Sequence, residues 1–178
     1  GLTFFCNIAY LALNYNYYFH SKLHIMKKLF LFISLFVSLV SVGQQQQLNP
    51  VTWKVTYLDL PNGEGEITFT AIIEKKWHIY SQKVTVDGPI PTSFVITPSK
   101  EFKLVGVVTE DNAHEIYDKS FEAKLYVFDN QAMFKQKIKR TSKTAFVIKT
   151  SLEFMTCNDA QCLPPKTLTF DITVPKIF

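Results

Sequence analysis

The sequence predicts an all-β protein, an antiparallel β-sandwich, on three observations. Apolar and polar residues alternate with a period of two in several segments, which is typical of strands with one buried and one solvated face. Clusters of Pro, Gly, Asn and Asp separate these segments and indicate tight turns. No segment of about 12 or more residues shows the spacing of an amphipathic helix. About seven to nine short strands in a chain of this length are typical of a sandwich.

The predicted strands follow one another from Val51 towards the C-terminus. Apolar residues alternate with Thr and Lys from Val51 to Tyr57, and the alternation resumes from Ile67 to Ile73 after the turn signal Pro61-Asn62-Gly63. Trp53 and Trp77 are expected in the core rather than at a ligand site, since tryptophans at strand positions usually pack inward. Further alternation lies at 121–127, 152–154 and 168–174, with turn signals at 87–91, 97–99 and 129–130.

A secretory signal peptide is predicted directly after the first methionine, Met26. Two lysines and an apolar run from Leu29 to Val42 follow it, and the run ends with small residues at Ser41 and Gly43. These are the −3 and −1 positions of a cleavage site. The run is shorter than the roughly 20 residues of a membrane span, although an N-terminal membrane anchor is the alternative. The chain then divides into an upstream extension (1–25), a signal peptide (26–43), a flexible lead-in (44–50) and one domain (51–178), which we expect in the periplasm.

Removal of the leader changes both the charge and the cysteine count. The 178 residues include 19 Lys and Arg against 15 Asp and Glu, a formal net charge of +4. Three of the lysines precede residue 44, so the mature domain has a net charge of only +1. Cys6 is lost as well, which leaves Cys157 and Cys162. An even pair in an oxidising compartment fits a disulfide.

Motif and charge arguments exclude nucleic-acid and metal binding as the predicted function. The basic cluster from Lys135 to Arg140 alternates with Gln136 and Ile138, which indicates the solvated face of a strand whose lysines discourage edge pairing. His78 and His114 lack the paired spacing of zinc ligands. We therefore predict no metal, no organic cofactor and no nucleic-acid partner.

The segment MTCNDAQCLPP, Met155–Pro165, carries the chemistry. Asn158 and Asp159 are turn formers, and cysteines that flank such a turn can reach the Cα separation of about 5–6 Å of a disulfide. Closing a ring of about six residues stabilises a fold by only about 2 kcal/mol. The residues alone leave two interpretations open for Cys157 and Cys162, a redox-active pair and a structural disulfide.

The same segment resembles the cysteine–turn–cysteine–Pro-Pro stretch of the N-terminal domains of the thiol:disulfide interchange protein DsbD. The similarity extends to Trp77–Ser81, which resembles the family's aromatic segment after an early strand. Residues Glu115–Ser120, before the predicted strand 121–127, resemble the family's cap region. The resemblance covers roughly Val51 to Val174, nearly the whole predicted domain.

This resemblance implies an immunoglobulin-like antiparallel β-sandwich with a redox-active cysteine pair and no metal or organic cofactor. Cys162 would form the mixed disulfide with a partner, and Cys157 would resolve it. A cap loop would shield the sulfurs, and further side chains would line the site. The implied cap residues are Glu115, Ile116, Tyr117, Asp118 and Lys119, and the implied lining residues are His78, Tyr80, Asp159 and Pro164.

The implied function is an exported thiol:disulfide interchange domain that relays reducing equivalents between protein dithiols. Thioredoxin-like domains would be its electron donor and acceptors, and a membrane reductase would be a separate polypeptide. Two features depart from the family's pattern. Four residues rather than five separate the cysteines, and Ile116 replaces the usual aromatic residue of the cap. The alternative is an immunoglobulin-like interaction module of the envelope with a purely structural disulfide.

Overall fold

The computed structural model describes residues 48–84 and 87–177, which form ten β-strands and one short 3-10 turn. In this part of the chain, no helix is long and apolar enough to cross a membrane. The predicted upstream extension, the signal peptide and most of the lead-in lie outside the described residues. The strands are β1 (Val51–Leu60), β2 (Glu64–Ile73), β3 (His78–Tyr80), β4 (Ser93–Ile96), β5 (Phe102–Asp111), β6 (His114–Asp118), β7 (Ala123–Asp129), β8 (Gln131–Arg140), β9 (Phe146–Cys157) and β10 (Cys162–Val174).

The strands form two antiparallel sheets, which confirms the predicted immunoglobulin-like antiparallel β-sandwich. Sheet A has the order β1-β2-β8-β5, and sheet B has the order β10-β9-β3-β7-β6. Strand β4 also belongs to sheet B, because β3 and β4 pair with successive stretches of β9. Ten strands exceed the predicted number because β3 and β4 are too short for an alternation pattern to reveal them.

Residues with left-handed backbone conformations make two of the hairpin turns. Between β1 and β2, Asn62 has a φ of 62° and Gly63 a φ of 71°. Between β7 and β8, Asn130 has a φ of 60°. Asn and Gly tolerate this region better than other residues, which explains why the predicted turn signals mark the ends of the strands.

The main core lies between the two sheets and is rich in aromatic residues. Phe134 is completely buried, and its ring centroid lies 5.0 Å from Phe94, 5.2 Å from Phe128 and 5.9 Å from Trp53. Each fully buried side chain of this kind stabilises the fold by about 1.5–3 kcal/mol. Trp53 and Trp77 are both buried among these residues, as the sequence predicts.

Strand β8 corrects one sequence expectation. Its lysines lie on the outward face, but β8 pairs with β2 and with β5 and is therefore an interior strand of sheet A. These lysines do not protect a sheet edge. Arg140 differs from them because its side chain is buried, and its guanidinium lies 2.9 Å from Asp59 and donates to the carbonyl of Pro175 at 2.7 Å.

Candidate functional site

Sheet B has apolar clusters on both of its faces. Adjacent residues of a strand point to opposite faces, and in β3 Ile79 belongs to the main core whereas Tyr80 belongs to a second cluster. In β7, Phe128 and Val127 divide in the same way. The second cluster therefore lies on the face of sheet B that points away from sheet A. We call it the outer cluster; it comprises Tyr80, Leu125, Val127 and Cys157, with Val84, Ile116, Phe121, Ala123, Met155 and Cys162 packed against them.

Cys157 and Cys162 form a disulfide within the outer cluster. Cys157 ends β9 and Cys162 begins β10, and the two are directly opposite in the register. Their Cα atoms are 4.0 Å apart, less than the predicted separation of about 5–6 Å. Cys157 is completely buried, whereas Cys162 is half-buried. The sulfur of Cys162 is thus the one that a second protein can approach more readily.

Asn158 organises the turn between the two cysteines. Its side-chain oxygen accepts hydrogen bonds from the backbone N–H groups of Ala160 and Gln161, both at 2.9 Å. Its own N–H donates to the carbonyl of Gln161 at 2.9 Å. Asp159 lies exposed in the same turn. These hydrogen bonds therefore hold the ends of β9 and β10 together in addition to the disulfide.

The double proline explains how Cys162 reaches the outer cluster. The register of β10 against β9 shifts by one residue between Leu163 and Lys166, which marks a β-bulge at Pro164 and Pro165. Beyond the bulge, even-numbered residues of β10 such as Ile172 face the main core. Because of the extra residue, Leu163 faces the main core and Cys162 faces outward. Pro164 is exposed, so its effect on the site is exerted through the backbone.

A polar network connects β3 to the end of β6 on the outer face. The hydroxyl of Tyr80 donates to Oδ2 of Asp118 at 2.6 Å. His78 Nε2 lies 3.3 Å from the same hydroxyl and 3.5 Å from Asp118 Oδ2. The other oxygen of Asp118 accepts from the N–H groups of Ser120 and Phe121 at 2.8 Å and 3.4 Å. The network therefore fixes the His78 ring and the start of the turn after β6.

Burial and charge shift the pKa values of the three groups in this network. Burial lowers the pKa of His78 below its usual value of 6.5, although Asp118 and Asp129 oppose the shift. Burial raises the pKa of Tyr80, and its hydrogen bond to Asp118 adds to the effect. Burial alone would raise the pKa of Asp118, but the hydrogen bonds from Tyr80 and from the backbone outweigh it and lower the pKa below 3.8. At neutral pH, Asp118 is therefore ionised, and His78 and Tyr80 are largely neutral.

The predicted cap loop is in fact strand β6 and the turn that follows it. His114–Asp118 pair with β7, so these residues are held by a hydrogen-bond ladder rather than by a loop. Ile116 packs against the outer cluster. Tyr117 points the opposite way and is 63% exposed, and Glu115 forms an exposed ion pair with Lys124 at 2.9 Å. Lys119 is exposed. Of the five predicted cap residues, Ile116 and Asp118 thus face the site.

Phe121 is a residue of the site that the sequence analysis did not identify. Its ring packs edge-on against Tyr80, with centroids 6.0 Å apart, and it covers Gly88 so closely that a Cβ there would lie 2.6 Å from Cδ1. Phe121 precedes β7, which begins at Ala123, although the sequence predicts a strand from residue 121. The sequence signal that could have identified Phe121 is its alternation with residues 123, 125 and 127, since all four residues belong to the outer cluster.

No metal-binding geometry is found within residues 48–84 and 87–177. No group of three or more His, Cys, Asp or Glu side chains there is arranged to hold an ion. His114 lies apart from the disulfide and pairs instead with Asp129 at 3.1 Å, with both side chains about half exposed. The chemistry that this arrangement supports is thiol–disulfide exchange at the Cys157–Cys162 pair.

Comparison with known proteins gives a family match and several structural likenesses. The family described as thiol:disulfide interchange protein DsbD, N-terminal, matches residues 44–174. Comparison with curated protein sequences gives no match. The reduced DsbD N-terminal domain of Neisseria meningitidis is 18% identical, with 68% of this chain and 85% of that chain covered and a TM-score of 0.47.

Two further solved structures show a likeness. One is the complex between the DsbD N-terminal and PilB N-terminal domains of Neisseria meningitidis, at 15% identity, 71% and 87% coverage and a TM-score of 0.46. The other is the N-terminal periplasmic domain of ScsB from Proteus mirabilis, at 12% identity and a TM-score of 0.52. The alignment with ScsB covers 74% of this chain and 50% of that one, and it supports the assignment of the fold.

Proposed function

Since this chain belongs to the family of DsbD N-terminal domains, we propose that it is an exported domain that relays reducing equivalents between protein dithiols through Cys157 and Cys162. The observation that carries the proposal is the position of the disulfide. It lies in the outer cluster, on the face of sheet B opposite the main core. A disulfide in this position is accessible to a partner, and opening it does not disturb the packing between the sheets.

The alternative, a purely structural disulfide, has little to stabilise. Strands β9 and β10 already pair along nearly their whole lengths, and the Asn158 turn closes the hairpin. Loop entropy for a ring of six residues contributes only about 2 kcal/mol. A disulfide that contributes so little to stability is better suited to reversible opening than to holding the fold together.

The proposed reaction proceeds through a mixed disulfide. The Cys162 thiolate attacks one sulfur of a partner's disulfide, a bond forms between them, and the partner's other sulfur leaves as a thiolate. Cys157 then attacks the sulfur of Cys162, the intermolecular bond breaks, and the partner's second sulfur leaves. Two electrons pass to the partner, which takes up two protons, and the domain gives up its two thiol protons. In the reverse sequence, a dithiol donor reduces the Cys157–Cys162 disulfide again. The half-exposed position of Cys162 and the burial of Cys157 support these roles.

The proposed partners are proteins whose reactive sulfurs are accessible at their surface. Cys162 is only half-buried but lies within the outer cluster, so a partner must present its disulfide on a protruding surface. Thioredoxin-like domains have this chemistry, and we propose them as donor and acceptors, with the membrane reductase as a separate polypeptide. The periplasm is the proposed compartment, and the predicted signal peptide supports it.

We further propose that Ile116 and Phe121 cover the sulfurs in the reduced domain. Both pack against the outer cluster, to which the disulfide also belongs. Ile116→Ala should accelerate alkylation of the reduced protein by a bulky maleimide several-fold, because it removes part of this cover. Tyr117→Ala is the matched comparison, since Tyr117 lies on the same strand but faces away. Equal alkylation rates in the two variants would contradict a shielding role of Ile116.

The reduction potential of the Cys157–Cys162 pair tests the proposed function. A relay is expected to equilibrate with glutathione or with a thioredoxin-like protein, at a potential above about −300 mV. The Cys157→Ser variant should then trap a thioredoxin-like partner through Cys162, and the Cys162→Ser variant should not. A potential below about −300 mV, with no trapped complex, would instead support the interaction module with a structural disulfide.

A further inference from the structure

His78, Cys157 and Cys162 form a row across three neighbouring strands. His78 in β3 is the register partner of Cys157 in β9, and Cys157 is the register partner of Cys162 in β10. Directly opposed residues of antiparallel strands point to the same face, with Cβ atoms about 4.5–5.5 Å apart. His78 is therefore the neighbour of the buried Cys157 on one side, and the more accessible Cys162 is its neighbour on the other side.

We propose that His78 is the proton-transfer residue of the exchange reaction and acts on Cys157. This inference rests on the proposed function and assigns a catalytic role within it. When a donor thiolate attacks Cys162, the sulfur of Cys157 leaves, and His78 donates a proton to it. When Cys157 resolves a mixed disulfide in the opposite direction, His78 takes the proton back.

The burial of Cys157 creates the need for such a group. Its side chain is completely buried among Tyr80, Leu125 and Val127. Because Cys157 is completely buried, a thiolate generated there is removed from solvent, and an uncompensated charge in an apolar site is costly. Transfer of the proton within the site avoids this charge. His78 remains accessible enough to exchange its proton with solvent, since 13% of its side chain is exposed.

The hydrogen bonds of the network determine which ring nitrogen is available. Tyr80 donates its single proton to Asp118, so its oxygen can only accept from His78 Nε2. Nε2 of the neutral ring therefore carries the hydrogen, and the lone pair is on Nδ1. Protonation of Nδ1 gives an imidazolium whose Nε2–H faces the carboxylate of Asp118 at 3.5 Å. Tyr80 and Asp118 are thus positioning residues that fix the tautomer and stabilise the charged form.

Charged groups from three elements act on His78. Asp118 at the end of β6 is the nearest carboxylate, Asp129 at the end of β7 is the register partner of His78, and Asp159 lies in the turn after Cys157. All three favour the imidazolium, whereas burial opposes it. Because these effects oppose each other, His78 can adopt both the neutral and the protonated form, which a residue that accepts and donates a proton requires.

The rate of disulfide reduction by dithiothreitol tests the proposal. The rate constant of the oxidised domain, expressed per dithiothreitol thiolate, is measured between about pH 5 and pH 8. In the wild type it should fall as the pH rises, because the imidazolium that protonates Cys157 is lost. At about pH 5, the rate constant of His78→Gln should be at least about tenfold lower than that of the wild type, since general acid–base catalysis contributes ~10²–10⁴-fold in other enzymes. The rate constant of this variant should also be independent of pH. Asp118→Asn should show a smaller loss with an altered pH profile.

Tyr57→Phe is the matched control, because Tyr57 also donates its hydroxyl to an aspartate, Asp59 at 2.7 Å, but lies on β1 of sheet A. It should retain the wild-type rate and profile. A catalytic His78 changes the forward and reverse rates by the same factor, so the reduction potential of His78→Gln at equilibrium should equal that of the wild type. Unchanged rates in His78→Gln, or a loss accompanied by a shifted potential, would overturn the catalytic role while the relay stands. A wild-type disulfide that thiols do not reduce would overturn both.

Discussion

Reduction of the Cys157–Cys162 disulfide should leave the sandwich folded and only slightly less stable. The ring that the disulfide closes contains six residues, so loop entropy predicts a loss of about 2 kcal/mol in the free energy of unfolding. At about 4 °C per kcal/mol for a domain of this size, the melting temperature should fall by about 8 °C. The same free energy corresponds to about 45 mV, by which the folded domain should be harder to reduce than the unfolded chain.

Chemical denaturation of the oxidised and the reduced protein measures this difference. Trp53 and Trp77 are both buried in the main core, so their fluorescence reports the unfolding of the sandwich itself. Phe134→Ala is the reference for a perturbation of that core. It should cost about 3–5 kcal/mol, because Phe134 is completely buried between three aromatic rings. Loss of the β-sheet signal on reduction, or a destabilisation as large as that of Phe134→Ala, would show that the disulfide holds the fold and would refute the reasoning.

Three further changes test the geometry of the outer face. Asp118→Asn should cost about 1.5–3 kcal/mol at pH 7, the range for hydrogen bonds to charged groups. Because folding lowers the pKa of Asp118, the wild type should lose this extra stability as the pH falls below 3.8. Urea unfolding should therefore show a smaller difference in the free energy of unfolding between the two proteins at pH 3 than at pH 7. Gly88→Ala should displace the Phe121 ring and accelerate alkylation of the reduced protein, as measured with a maleimide. Deletion of Pro165 should remove the bulge, turn Cys162 to the inner face and produce two free thiols, as counted with Ellman's reagent.

Matched variants separate these effects from general destabilisation. Gly63→Ala introduces a side chain at a φ of +71° where nothing lies within 4 Å, so it should lower stability without changing the alkylation rate. Pro165→Ala preserves the number of residues in the bulge and should retain the disulfide. An intact disulfide in the Pro165 deletion would contradict the assignment of the bulge. If the free energies of unfolding of Asp118→Asn and the wild type were equal above pH 6 and differed at acidic pH, the assigned role of Asp118 would be contradicted.

Alternation in the sequence predicts the strands well because it depends on local burial alone. The pattern around Trp53 and Ile67 correctly identifies β1 and β2, since one face of each strand is solvated. β3 and β4, by contrast, have three and four residues, too few for a period, and are defined by their pairing with β9. Partners so distant in the sequence are set by the tertiary fold, which a local pattern does not encode.

The site could be predicted only in part for a related reason. Cys157 and Cys162 are recognisable from their spacing around a turn, and the structure places His78 opposite Cys157 and Tyr80 in the same cluster. The role of Asp118 depends on a contact with Tyr80 across 38 positions of the chain, and no local signal marks it. The cap was predicted as a loop from the family resemblance, whereas residues 114–118 form β6, an edge strand with only one face covered.

The double proline shows how one local irregularity allows a strand to serve two faces of a sheet. With strict alternation, an even-numbered Cys162 would share the inward face of Phe170 and Ile172, and its sulfur would lie in the main core. The extra residue at Pro164 and Pro165 reverses the alternation, so β10 contributes to the main core along most of its length and to the outer cluster at its first residue. Proline suits this position, since a bulge leaves a backbone N–H without a ladder partner and proline has none to satisfy. The same irregularity thus separates the residues that stabilise the fold from the sulfur that reacts, which is why the disulfide can open and close on a rigid sandwich.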